Sequence, residues 1–190
     1  MLRQPHHARS GNARAWAWPL VAFGLLTACG GQGPRFRLEG SLSQLMNLQY
    51  DEARIRLTTQ TMSLDFVRKR ALGDTRLPDG GMTEVGTSED FVLQIGYQLL
   101  GDAPPNNQAI DLTFLDENGN FRTTLARNVV NDPRRTFPPL RVGSLFLDRT
   151  PDPVAMNTVN GDFNITFENG VEIASGRTVF GKFAAKVIPP

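Results

Sequence analysis

The chain has 190 residues, with 20 Lys and Arg against 19 Asp and Glu (formal net charge +1), 40% hydrophobic residues, one Cys, two His and two Trp. His6, His7, Trp16 and Trp18 all precede the single Cys29 in a segment that reads as a removable targeting peptide, so Cys29–Pro190 keeps 190 − 28 = 162 residues with neither His nor Trp. That part therefore lacks the residues for a Ser-His-Asp triad, a Cys-His pair, a histidine zinc site or a disulfide framework. Without Arg3, Arg9 and Arg14 it carries 17 basic and 19 acidic side chains, formally −2, and so lacks the concentrated positive charge of a nucleic-acid binder. Its length suits one domain with a real core.

The leader divides into the parts an export signal needs. Three arginines supply positive charge, Ala15–Leu26 supplies twelve mostly apolar residues, and small Thr27-Ala28 precede Cys29. Twelve residues with Pro19 among them fall short of the roughly 20 that cross a bilayer. Leu26-Thr27-Ala28-Cys29 resembles the lipobox of bacterial lipoproteins, and a Gly30-Gly31-Gln32-Gly33-Pro34 tether follows it. The resemblance implies acylation of the Cys29 sulfur and cleavage just before it. Having Gly30 rather than Asp after the cysteine, it also implies sorting to the outer membrane. Acylation accounts for a lone cysteine in an exported chain, where a free thiol is otherwise unusual. The expected organisation is a signal peptide over 1–28, a lipidated tether over 29–34 and a single domain over 35–190.

Beyond the tether, apolar residues recur every second position, the period of half-buried strands. Phe36, Leu38 and Leu42 open the series, followed by Ala53, Ile55 and Leu57, then Met62, Leu64 and Phe66 after a short Thr59-Gln60-Thr61 link that predicts a hairpin. Ser43–Tyr50 fits either a bent strand or one helical turn. Phe91, Leu93, Ile95, Tyr97 and Leu99 form the clearest strand, in which Gly96 marks a bulge or a close backbone approach. Two hairpins are predicted next. Ile110, Leu112 and Phe114 return through Phe121, Thr123 and Leu125 around Asp116–Asn120, and Phe163, Ile165 and Phe167 return through Val171 and Ile173 around Asn169-Gly170. Further strands span about Arg141–Asp148 and Val179–Val187. The pattern predicts an all-β fold: an antiparallel two-sheet β-sandwich with Greek-key connections or, as the alternative, a small β-barrel.

Candidate sites fall mainly on the long links, about Ala71–Asp90 and Asn128–Leu140, because loops on a rigid scaffold carry variable chemistry. Asp74, Asp79, Glu84, Glu89 and Asp90 make the first link acidic, which suits calcium or a pair of catalytic carboxylates on a glycan. Asp116–Asn120 has the oxygen-rich start of a calcium loop, but Arg127 stands where an EF-hand needs Glu, and a hairpin turn is the simpler reading. Arg68-Lys69-Arg70 and Arg134-Arg135 suit anionic lipid or sugar, or else ordinary solvated edges. Tyr50 and Tyr97 fall on core faces, whereas Phe137 and Phe180 fall where an exposed aromatic can anchor a partner.

The expected function is non-enzymatic: an envelope lipoprotein acting as a binding or assembly module, held by membrane lipid and meeting a protein partner. No cofactor is expected beyond the covalent lipid on Cys29, and no metal. The alternatives are a glycan-binding or carboxylate-dependent glycan-hydrolysing domain and an apolar-ligand carrier.

Overall fold

In the computed structural model, the residues described are 36–71, 75–76, 82–83, 87–102, 106–133, 135 and 137–189. They all belong to one compact unit spanning Gln32–Pro190. The chain is all-β, as its alternation predicts, with no α-helix among the described residues. The strands are β1 (Phe36–Arg37), β2 (Gln49–Tyr50), β3 (Glu52–Leu57), β4 (Thr61–Ala71), β5 (Thr75–Arg76), β6 (Met82–Thr83), β7 (Thr87–Gln98), β8 (Ala109–Asp111), β9 (Thr123–Asn128), β10 (Leu140–Leu147), β11 (Thr158–Phe167) and β12 (Thr178–Ile188).

Eight of them form one mixed sheet in the order β8-β10-β11-β12-β3-β4-β7-β9, while β1-β2 and β5-β6 form two small ribbons. Every junction in the large sheet is antiparallel except β12–β3, where Ala185 to Ile188 run parallel to Ala53 to Arg56. This junction ties the last strand of the chain to the first long one.

The large sheet curls, and its connections show why. β8 and β9 are its two outermost strands, yet only Leu112–Arg122 links them, and that link folds back on itself: Arg122 N–H donates to the Phe114 carbonyl at 3.0 Å, and Leu115 bridges Phe121. Seven inter-strand spacings of a flat sheet amount to about 34 Å. The folded link reaches only about 16 Å, so the edges must approach each other. The resulting half-barrel, consistent with the sandwich-like expectation, has its seam at the 114–122 hairpin and its β12–β3 junction in the middle of the strand order.

The interior is filled from the amino-terminal side. Ser41–Gln44 forms a 3₁₀ turn, so the ambiguous segment begins as a helical turn and ends as the short β2. Leu38, Leu42, Met46, Leu48 and Tyr50 enter the core, where Phe66 meets the rings of Tyr50 (5.0 Å), Phe163 (5.4 Å) and Phe183 (6.0 Å). Each such pair contributes about 0.5–1.5 kcal/mol beyond simple burial.

Three local expectations change. The predicted hairpin across Asp116–Asn120 closes only over Phe114–Arg122, because the flanking strands pair elsewhere, β8 with β10 and β9 with β7. The Asn169-Gly170 hairpin does not form. Val171 and Ile173 are exposed, and the positive-φ residue of that connection is Gly176 (φ 68°), whose N–H reaches the Glu168 carbonyl at 2.9 Å. The reversal is thus a longer loop, Glu168–Arg177, that tucks in Ala174. In β7 a bulge between Phe91 and Gln94 buries Val92 and Leu93 in succession and turns Phe91 to the outer face. Gly96 is a close approach rather than a bulge, since a Cβ there would stand 2.5 Å from Thr124 Oγ1.

Candidate functional site

The most organised polar surface lies on the outer face of β3, β4 and β7, where alternation sends Glu52, Arg54, Arg56, Ser63, Asp65 and Gln94 away from the core. Asp65 is only 1% exposed although it faces outward. Its Oδ2 accepts from Arg56 Nε (2.9 Å) and Nη2 (2.5 Å), and its Oδ1 accepts from Ser63 Oγ (2.5 Å) and Gln94 Nε2 (3.1 Å). Arg56 also lies 5.6 Å from the centre of the Phe91 ring that the bulge turned outward. Four donors leave this carboxylate little capacity for a ligand.

Glu89 and Asp90, which the sequence places at the end of an acidic loop, belong instead to β7. Pairing with β4 sets Glu89 opposite Lys69 and Asp90 opposite Arg68. Asp90 is 1% exposed, accepting from Arg68 Nη2 at 2.8 Å and from Val130 N–H at 3.0 Å. Burial pushes its carboxyl upward, but the Val130 N–H and the Arg68 guanidinium outweigh that and hold it below the usual aspartate range. Glu89 is held down chiefly by Arg54, whose Nη1 and Nη2 reach it at 2.9 and 2.5 Å. Arg54 also pairs with Glu52, which Lys69 joins at 2.8 Å. Neither acid is therefore a free loop ligand. Asp74, Asp79 and Glu84 lie outside the described residues, as do Arg134 and Leu26, Thr27, Ala28 and Cys29.

The described members of the basic clusters are engaged as well. Arg68 and Lys69 enter these ion pairs, Arg70 donates to Ser88 Oγ at 3.3 Å, and Arg135 pairs with Asp132 at 3.2 Å. Two buried cations, Arg122 and Arg127, were not foreseen. Arg127 donates through Nη1 to the Val92 carbonyl at 2.8 Å and through Nε to Asp132 at 2.9 Å, satisfying an acceptor that the β7 bulge removes from the ladder. Its place opposite Phe91–Gln94 depends on a register that alternation does not reveal. Arg127→Met is expected to lower stability by about 2 kcal/mol in a urea titration, because the Val92 carbonyl stays buried without a donor. An unchanged midpoint would mean that the guanidinium contributes nothing there.

The Asp116–Asn120 segment is a tight turn. Asp116 Oδ1 accepts the Asn118 and Asn120 N–H groups at 2.9 and 2.8 Å, and Gly119 adopts φ 79°. Among the described residues no group of three or more His, Cys, Asp or Glu side chains is placed to hold a metal ion.

The aromatic residues divide differently from expectation. Tyr50 and Tyr97 are buried, and burial raises both phenols. Phe137 is not an exposed anchor: it packs on the core and stacks on Phe167, with centroids 5.4 Å apart and planes within 10°. Phe180 does remain exposed, at 38%, and Phe36 joins it at 53%. Two adjoining surface grooves meet at Phe36, one of about 550 Å³ toward Phe180 and one of about 380 Å³ toward Lys186. At the opposite seam, Phe114, Leu115 and Phe121 are also exposed, with Arg122 between the rings of Tyr97 (4.8 Å) and Phe114 (5.8 Å). These two apolar surfaces are among the exposed surface features suited to contact, while most acids of the first long link lie outside the described residues. The chain matches no protein-family model, no curated protein and no solved structure.

Proposed function

We propose that this protein is a lipoprotein of the bacterial envelope, anchored in the outer membrane through acylated Cys29, whose half-barrel serves as a non-enzymatic binding or assembly module. The anchor rests on the Leu26-Thr27-Ala28-Cys29 lipobox and the charged, then apolar, leader before it. The observation that carries the binding role is the use made of Glu89 and Asp90. Both are consumed in ion pairs with Arg54 and Arg68 that hold β3, β4 and β7 together, whereas large apolar groups, among them Phe36, Phe114, Leu115, Phe121 and Phe180, are left at the surface. That division favours contact with a partner over chemistry on a glycan. The filled interior, with Phe66, Phe163 and Phe167 fully buried, favours it over carriage of an apolar ligand.

Cys29→Ser tests the anchor. The wild-type chain is expected in the membrane fraction with the mass of an acylated, cleaved protein, and the variant is expected unacylated and uncleaved. A processed Cys29→Ser chain that still sediments with membranes sinks the anchor. Crosslinking from native membranes tests the module: a stoichiometric protein partner recovered with the wild-type form supports it. Recovery of none, together with a rise in melting temperature on adding oligosaccharide, would favour the glycan reading.

A further inference from the structure

We infer that the Phe36 face of the half-barrel, beside β12, lies against the phosphate-bearing headgroups of the membrane that anchors the chain. The inference rests on the acylation of Cys29 proposed above and adds an orientation to it. Its structural basis is a gap in the sheet. On its β3 side, β12 is laddered only from Ala185 to Ile188, and Glu39 bridges it at Phe180, so Lys182–Ala184 have no strand beside them there. Tyr50 and Phe36 fill the gap, their rings 5.6 Å apart, with Tyr50 buried beneath and Phe36 left at the surface.

Around Phe36 the exposed side chains of β12 are Phe180, Lys182, Ala184 and Lys186. Among the described residues neither lysine ammonium pairs with a carboxylate, although Asp162 lies directly across from Lys182. Of the acids lining the two grooves, Glu52 is taken by Arg54 and Lys69, and Asp51 accepts the Lys69 N–H. That backbone donor leaves the Asp51 carboxylate charged, so Glu39, Asp51 and Asp162 are matched in number by Arg37, Lys182 and Lys186, of which the two lysines stand together on β12 beside Phe36. Phenylalanine rings flanked by lysines fit the headgroup boundary, where rings enter the acyl edge and ammonium groups meet phosphates. Chain length brings this face to the bilayer, because seven residue steps from Cys29 to Phe36 span at most about 25 Å. The 114–122 hairpin, on the far side of the half-barrel, then faces away from the membrane and toward a partner.

No tryptophan follows Cys29, so a single introduced one reports on depth in the processed chain. Phe180→Trp and Phe114→Trp proteins, purified as acylated full chains, are reconstituted in phosphatidylethanolamine/phosphatidylglycerol vesicles with brominated acyl chains. Tryptophan at position 180 is expected to lose at least about half its emission while that at 114 keeps its own, and adding Lys182→Glu with Lys186→Glu should restore the signal at 180. Equal emission at the two positions, or stronger quenching at 114, overturns the orientation in an acylated chain. An intact mass without acyl groups overturns the anchor itself and the orientation with it.

Discussion

Asp90→Ala is expected to destabilise the protein by about 3 kcal/mol at pH 7, since removing one member of a buried, hydrogen-bonded ion pair leaves the other without its partner. Two groups are stranded: the Arg68 guanidinium and the Val130 N–H. Arg68 is 19% exposed and can regain some water, which places the loss at the lower end of what a broken buried pair costs. The sign with pH follows from the depressed Asp90 carboxyl. A group with a folded pKa below its unfolded one contributes stability that is fully present above the unfolded pKa, near 4, and is lost as pH falls through the folded one. Glu52, Glu89 and Asp132 are lowered too, so they add to the same acid limb. The melting temperature of the wild-type chain should therefore fall as pH drops from about 5 toward 3, and the difference from Asp90→Asn should be widest at pH 7 and narrow toward pH 3. A constant difference across that range would show that the charge of Asp90 is not what it contributes.

Gly40→Ala is the other large effect. Gly40 has φ 108°, a conformation that L side chains rarely adopt, and an added Cβ would meet the Thr178 carbonyl, whose carbon would stand 2.8 Å away. The obstacle is backbone, so a side-chain rotation cannot relieve it. Glu39 and Phe180 exchange two backbone hydrogen bonds at 2.9 and 3.1 Å beside it, and the Ser41 hydroxyl accepts the Thr178 N–H at 3.0 Å. Moving Gly40 strains this seam and draws on Leu38 and Leu42, both 0% exposed. A loss of about 3 kcal/mol, or roughly 6–12 °C in Tm for a domain of this size, is expected by circular dichroism. A shift below about 2 °C would mean that the amino-terminal segment docks without the constraint assigned to Gly40.

Much of the core was legible in the alternation. Ile55 and Leu57, Met62 through Phe66, Ile95 and Tyr97, and Val179 through Val187 are buried where period two places them, because each strand sends successive side chains to opposite faces. The candidate site was less legible. Glu89 and Asp90 read as loop acids because acids cluster in solvated links, yet an eleven-residue pairing of β4 with β7 draws them into the sheet. Phe91 and Val92 exchanged faces at a bulge, which one extra residue creates and hydrophobic pattern alone does not mark. Phe137 read as exposed because it sits among prolines and arginines, while its ring stacks on Phe167 from a strand 30 residues later.

By itself, the sequence determined the all-β class, the inward faces of the long strands apart from the bulged start of β7, the β3–β4 hairpin and the tight turn at Gly119. All of these are local properties, set by backbone preference and by the two-residue repeat. Tertiary structure alone decided that β12 would lie parallel to β3, that β8 and β9 would take opposite ends of one sheet, and that a gap beside Lys182 would leave Phe36 at the surface. Strand order and register depend on which distant strands close a common core, and many pairings bury the same faces equally well, so the periodicity of a single strand carries no record of its neighbour.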